Sequence, residues 1–407
     1  MGQVIRAYRR HPHHGRRPLA QQDMARWLSI TQGHLSRIEN GHAPVNQLDT
    51  LIAYARVLAI PRPLLWFDLP TSQAGTDPDA APRHGDRSVL PPGLVAVIAG
   101  SPENDLAESM LTTLAGYCAR DQVDGAHQVL ELVDHDLAGL RGRITAAGSE
   151  DGGRHLRTVA SRYAEFRGWL HQDSGDLAAA EHWTRTALTD STSLDEPALR
   201  AYVLMRLSNI AGDAGNLDAA ADFIDEALTY AAILGPRQRA VQLRQRANVT
   251  AQRAARSGQR SDVRDCVDAL ARAADAAAEP VTAPDTLAGY CSPEYVSVEA
   301  AQCWIELGQP EKAVTILEPR LAQWHGGGRR DLGMGLARLS TAYTGAGAWA
   351  EAIEAAGYAT NIVADTRSHR TLTQLLATET GLRAAGRTEE ARELNHQLRT
   401  AYVPTPR

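Results

Sequence analysis

Cysteine is scarce and scattered. Cys118, Cys266, Cys291 and Cys303 form no CxxC pair. That spacing supports neither a zinc ribbon nor a redox motif, and a reducing cytoplasm is the natural compartment. Phenylalanine is nearly absent, with three residues in 407. Alanine is abundant, so cores must be built from small side chains on closely spaced helices. Lysine is rarer still, since Lys312 stands alone among 42 Lys and Arg residues. The bias suggests a GC-rich genome and carries no function. No apolar run reaches the roughly 18 residues a membrane span needs, and no charged start leads into an apolar signal core. Neither a membrane partner nor secretion is expected. No alternating strand pattern appears. What remains is a chain with 43% hydrophobic residues, ample for cores and long enough for more than one domain.

The net charge of −6 hides an asymmetry. Residues 1–70 hold nine Arg against four acids (Asp23, Glu39, Asp49, Asp68), a balance of +5. The rest holds 33 basic and 44 acidic residues, a balance of −11. A basic head on an acidic body fits a nucleic-acid module joined to a body that repels DNA. Ordinary solvated surface fits the charge equally well, and the motif that follows decides between them.

The stretch LAQQDMARWLSITQGHLSRIENG, residues 19–41, reads as two short helices joined by a tight turn. Ala25, Leu28, Leu35 and Ile38 recur at three- and four-residue spacing. Thr31 is placed to cap the second helix, and Gly41 to close it in the left-handed conformation. Between them Gln32, His34, Ser36 and Arg37 offer side chains suited to base edges and phosphates. Gly33 lets the backbone come close. A Gln at a helix start suits a bidentate pair with adenine, and Arg37 suits a phosphate or a guanine.

This run resembles the phage-repressor (XRE) class of helix-turn-helix. The matching residues are Gln21, Met24-Ala25 and Leu35-Ser36-Arg37-Ile38-Glu39-Asn40-Gly41, with NQLDTLIAYARVLAIPRPLLWFDLP supplying the last two helices. Ala20 and Ser29 depart from it, where the class usually carries Ser or Thr and Gly. The resemblance implies a five-helix DNA-binding domain over residues 1–69, with Gln21 and Asn40 on phosphates and Glu39 paired with Arg9 or Arg10. A double-stranded DNA operator read by a homodimer is the implied partner arrangement.

Residues 70–92 are rich in Pro, Gly, Asp and Ser and read as a linker. Beyond them, over residues 93–407, glycines recur at 175, 215, 258, 308, 347 and 386. Except after Gly258, an alanine lies five residues on: Ala180, Ala220, Ala313, Ala352, Ala391. Gly reverses the chain, and a small residue lets the two helices of a hairpin approach. The pattern resembles tetratricopeptide (TPR) repeats with longer units. An earlier pair is expected near Asp121–Val133. The fold class expected is therefore all-α, a helix-turn-helix domain followed by a TPR-like α-solenoid with a concave binding face.

Laying the repeat frame on the chain turns Arg162, Glu165, Trp169, Tyr202, Met205, Asn209, Gln245, Asn248, Gln252, Tyr295 and Gln302 into the groove. Trp169, Tyr202, Asn209, Asn248 and Tyr295 are the ligand-binding candidates, since an amide offers donor and acceptor together. The architecture resembles that of peptide-pheromone receptors, which implies a peptide or small-molecule signal as partner. The histidines at 11, 13 and 14 surround Pro12 and lack a partner pair, so no metal is expected. His325-Gly326-Gly327-Gly328 lacks the Gly-x-Ser-x-Gly elbow that an esterase needs. No phosphate loop, dinucleotide fingerprint or HExxH motif occurs, so no cofactor and no enzyme activity are expected. The expected function is transcription regulation in the bacterial cytoplasm. The alternative is a repeat scaffold whose head contacts protein rather than DNA.

Overall fold

The computed structural model describes residues 2–9, 20–28, 30–43, 45, 50–51 and 54 of the head, and residues 102–146, 150–281, 285–324 and 328–402 of the remainder. The chain divides into two compact units, Met1–Val89 and Leu90–Arg407. The linker, most of the last two head helices and the histidine cluster lie outside the described residues, as do His325, Gly326 and Gly327. Among the described residues every regular element is helical. None of these helices is long and apolar enough to cross a membrane.

The head contains α1 (Gly2–Arg9), α2 (Gln21–Trp27) and α3 (Gln32–Glu39). Ile5, Met24, Ala25, Leu28, Leu35, Ile38 and Tyr54 form one apolar cluster beneath them. Thr31 starts α3 as the sequence predicts, its hydroxyl accepting from the His34 amide at 3.2 Å. Gly41 ends it at φ 78°, its amide donating to the Ile38 carbonyl at 3.1 Å. Ala20 precedes α2 with no side-chain cap, the consequence of lacking a hydroxyl there.

The second unit opens with α4 (Pro102–Asp124) and α5 (Leu130–Ala146), both packed on α6 (Glu150–Asp173), and continues as helical hairpins: α6 with α7 (Leu177–Ser193), and α8 (Pro197–Asp213) with α9 (Leu217–Leu228). Next come α10 (Pro236–Ser257) with α11 (Arg260–Ala278), and α12 (Pro293–Glu306) with α13 (Pro310–Ala322). The last are α14 (Arg329–Ala346) with α15 (Trp349–Thr366), and α16 (His369–Ala384) with α17 (Thr388–Tyr402). From α8 onward each first helix also packs on the first helix of the next hairpin, giving a solenoid-like stack.

All six phased glycines adopt positive φ, between 65° and 87°. The residue after Gly175 and Gly215 then caps the second helix. Asp176 accepts from the Ala179 amide at 3.0 Å, and Asn216 from the Ala219 amide at 3.2 Å. The alanine five residues past the glycine is fully buried in each of the five pairs that carry one. Its smallness lets a buried serine cross the hairpin: Ser208 donates to the Ala220 carbonyl at 2.8 Å, and Ser340 to the Ala352 carbonyl at 2.7 Å.

The stack returns on itself. Helices α14 and α15 pack against α4, and α16 against α6. Arg330 on α14 pairs with Asp121 on α4. Ser368, the cap of α16, donates to Asp173 at 2.8 Å. Gly125 sits so close to the Thr366 backbone that a Cβ there would collide. One turn of the solenoid is thereby closed around its own axis.

Candidate functional site

The recognition-like helix α3 has two faces. Leu35, Ile38 and Glu39 are buried. Gln32, Gly33, Arg37 and Asn40 are exposed, and His34 and Ser36 half-buried. Positions 32, 33, 36, 37 and 40 form one helical stripe, so the inward apolar pair aims the polar set outward. Asn40 lies near Ser36, Nδ2 to Oγ at 3.5 Å. Gln21 is placed differently from a phosphate contact: its amide donates to Glu39 at 2.8 Å. Arg9 donates to the same carboxylate at 2.8 and 3.1 Å, while Arg10 lies outside the described residues. Burial pushes the Glu39 carboxyl up, but the bonds from Arg9 and Gln21 outweigh it and hold the group below its ordinary range. Glu39 is thus the polar staple between α1, α2 and α3.

The closed turn of the second unit encloses a cavity of about 1120 Å³. This is slightly above the roughly 300–1,000 Å³ of typical drug-sized ligand pockets. The first helices supply its walls. Leu111, Leu114 and Ala115 on α4 with Phe166 on α6 make an apolar side. The turn Asp285–Tyr290 reaches in from between α11 and α12, tied by Arg162 donating to the Thr286 carbonyl at 2.8 Å.

Four of the five ligand candidates line this cavity: Trp169, Tyr202, Asn209 and Tyr295. Asn248 does not. On α10 the lining residue is Arg244, a full turn earlier. Gln245 turns aside toward α8, accepting from Asn209 at 3.1 Å and donating to Ser208 at 3.2 Å. The repeat frame fails on this helix, where none of Gln245, Asn248 and Gln252 lines the cavity and Arg244 does. Gln302 also misses the cavity and bonds Glu306 within its own helix. Asn209 is committed, since it accepts from Gln172 at 2.7 Å in addition to its bond to Gln245.

Trp169 is the hub of one end. The guanidinium groups of Arg330, Arg206 and Arg370 lie 4.5, 4.9 and 5.2 Å from its ring centre, and its indole N–H donates to Asp121 at 3.0 Å. Each arginine has its acid: Asp121 for Arg330, Glu165 for Arg206, Asp213 for Arg370. Sequence reasoning missed these arginines. The visible signal was Arg206 inside the otherwise apolar run AYVLMRLSNI of α8, a pattern that demands a buried partner.

The other end is phenolic. Tyr290 packs edge-on against Tyr295 at 5.1 Å, and its hydroxyl meets that of Tyr202 at 3.3 Å. Tyr290 is 47% accessible, yet desolvation raises its phenol well above the ordinary value. The two agree because its open surface faces the cavity rather than bulk water. Cys118 behaves alike: exposed toward the cavity, its thiol pushed up to about 12 by burial and by the charges of Glu165 and Asp121. The thiol form is favoured there, and the thiolate that acts as a nucleophile is disfavoured. Among the described residues no cluster of His, Cys, Asp and Glu could hold a metal ion.

No family model matches the chain, and no curated protein matches it. Among solved structures it is similar to the crystal structure of BtubC (BKLC) from P. vanneervenii, at 17% identity and a TM-score of 0.38, over 69% of this chain and 95% of that one. A likeness at that score carries no argument about this chain.

Proposed function

We propose that the protein is a DNA-binding transcription regulator whose TPR-like unit binds a signal molecule. The observation that carries the reading is the outward stripe of α3, with Gln32, Gly33, Arg37 and Asn40 exposed on a helix capped at both ends. Such a helix fits the major groove, with its N-terminal residues at base edges. A single head contacts few base pairs, so the protein acts as a homodimer on a near-palindromic operator. The cavity supplies the sensor. A ligand inside it would touch both ends of the closed turn, α4 and α6 on one side and α14 and α16 on the other. It would favour one curvature by its differential affinity. The spacing of two heads on half-sites would change with that curvature. The cytoplasm is the compartment this reading requires.

The test is titration of the full chain onto genomic DNA fragments at several salt concentrations. Sequence-selective binding whose affinity falls steeply with salt is expected. Absence of any duplex binding by a folded chain would overturn the reading and leave the scaffold alternative.

A further inference from the structure

The phenolic end of the cavity has an unbalanced charge. Arg338 on α14 bonds both oxygens of Glu299 on α12, and Arg244 on α10 lies 3.6 Å from the same carboxylate. Two guanidinium charges thus share one carboxylate. Both arginines are almost fully buried, at 6% accessibility, and the Nε–H of each has no acceptor. The remaining neighbours do not compensate. Tyr290, Tyr295 and Cys291 are all held neutral by burial. Asp285 brings a carboxylate but forms no ion pair with either arginine; its Oδ1 accepts from the amides of Leu287 and Ala288, at 2.8 and 2.9 Å. Arg370 adds further positive potential at Glu299. An uncompensated buried cation costs several kcal/mol in general, so such an arrangement persists where an anion completes it.

The shape beside that charge is aromatic. Arg244 stands 6.0 Å from the ring centre of Tyr295, and Tyr290 next to it offers nearly half its surface to the cavity. Further along lie Val298, Met334 and the apolar wall of α4. We propose that the cavity binds an aromatic monocarboxylate, its carboxylate between Arg244 and Arg338 and its ring against Tyr290. Within the Arg244–Glu299–Arg338 cluster one positive charge is in excess, which matches one carboxylate, whereas a phosphate dianion would overshoot it. The proposal rests on the sensor reading of the cavity and gives that sensor its ligand class.

The experiment is calorimetric titration of the full chain, without DNA, using 2-naphthoate, its neutral analogue 2-naphthamide, and inorganic phosphate. Naphthoate is expected to bind about tenfold or more tightly than the amide, and phosphate not measurably. Arg338→Met leaves Arg244 and Glu299 as a balanced pair, so it keeps the fold and erases the preference for the acid. Tyr290→Ala, at a cavity-facing turn, weakens acid and amide together. Equal binding of acid and amide, or no binding of either by the folded chain, overturns the site. Because no DNA is present, loss of the regulator reading would show separately: naphthoate binding by a chain that ignores duplex DNA keeps the site and removes the regulator.

Discussion

The two units treat polar side chains in opposite ways. In the head, α3 sends its uncommitted polar residues outward and keeps one buried carboxylate, Glu39, fully engaged by Arg9 and Gln21. In the solenoid the uncommitted polar groups point inward, toward an enclosed space, and the outer helices are sealed by buried alanines. On the proposed reading the head meets a large partner at its surface, where charge acts through water and salt screens it. On the same reading the solenoid surrounds a small partner, where each charge is desolvated and its pairing is decisive. The same residue type would therefore carry different weight: on the proposed reading Arg37 on the surface tunes affinity, while Arg338 in the cavity selects the ligand's charge.

The sharpest break of this contrast is Glu39→Ala. It removes the shared acceptor of Arg9 and Gln21 in a head with few buried residues. We expect a loss of about 3–5 kcal/mol, the usual range for breaking a buried pair. The head should unfold while the solenoid's thermal transition stays in place, which calorimetry of the full chain reads directly. A single unshifted pair of transitions would show that Glu39 is dispensable.

The second test uses acid. Glu299 titrates near 2 in the fold, burial opposing and Arg338 and Arg244 outweighing it, against a usual 4.5. A lowered carboxylate contributes fully above its unfolded value, and that contribution fades as the pH drops from about 4.5 toward 2. Asp121 runs the other way: burial raises it above 3.8, so acid relieves a cost there. The solenoid's Tm should fall between pH 5 and 3 in the wild type, and less steeply in Glu299→Gln. Equal slopes would mean that the Arg–Glu–Arg cluster is not what acid breaks.

The head's outward face gives a smaller effect. Gln32→Ala should weaken operator binding by about 1–3 kcal/mol and blur one base position, whereas Arg37→Ala should weaken all sequences alike if it sits on phosphate. Gel-shift titration against a set of operator variants separates the two. If neither change appears, another face of the head meets DNA.

Much of this was legible from the chain because it is local. A capping Thr, a closing Gly and apolar spacing determine α3 without reference to anything distant. The phased glycines and their alanines do the same for the hairpins, since positive φ and close approach are properties of those residues themselves. The closure of the turn was not legible. It depends on Arg330 meeting Asp121 and Ser368 meeting Asp173 across about half the chain, and no periodicity encodes such a pairing. The cavity's lining failed for a related reason. Inward positions depend on how each helix is rotated against its neighbours, and on α10 the side chain that faces the cavity is Arg244, one residue before the frame's first position, while Gln245 is drawn to Asn209 and Ser208.

Asn209 and Asn248 measure that failure, because the repeat pattern gives them the same role. Asn209 is buried and bridges Gln172 and Gln245, so it holds α6, α8 and α10 in register at the cavity wall. Removing it leaves Gln172 its bond to Asp213 at 2.6 Å and Gln245 its bond to Ser208, so the network is weakened rather than orphaned. A cost of about 1–2 kcal/mol follows from the lost bonds. Asn248 is half-buried, lies off the cavity, and its Oδ1 accepts no bond. Asn248→Ala therefore loses no bond through that oxygen and should stay within about 0.5 kcal/mol of wild type, as substitutions away from packed networks usually do. Naphthoate affinity should be unchanged in Asn248→Ala and lowered in Asn209→Ala in step with the loosened wall. Denaturant unfolding and calorimetric titration of the two variants, side by side, give both quantities. An Asn248→Ala chain that unfolds normally but loses the ligand would put α10 back in the repeat frame and move the site away from Arg244.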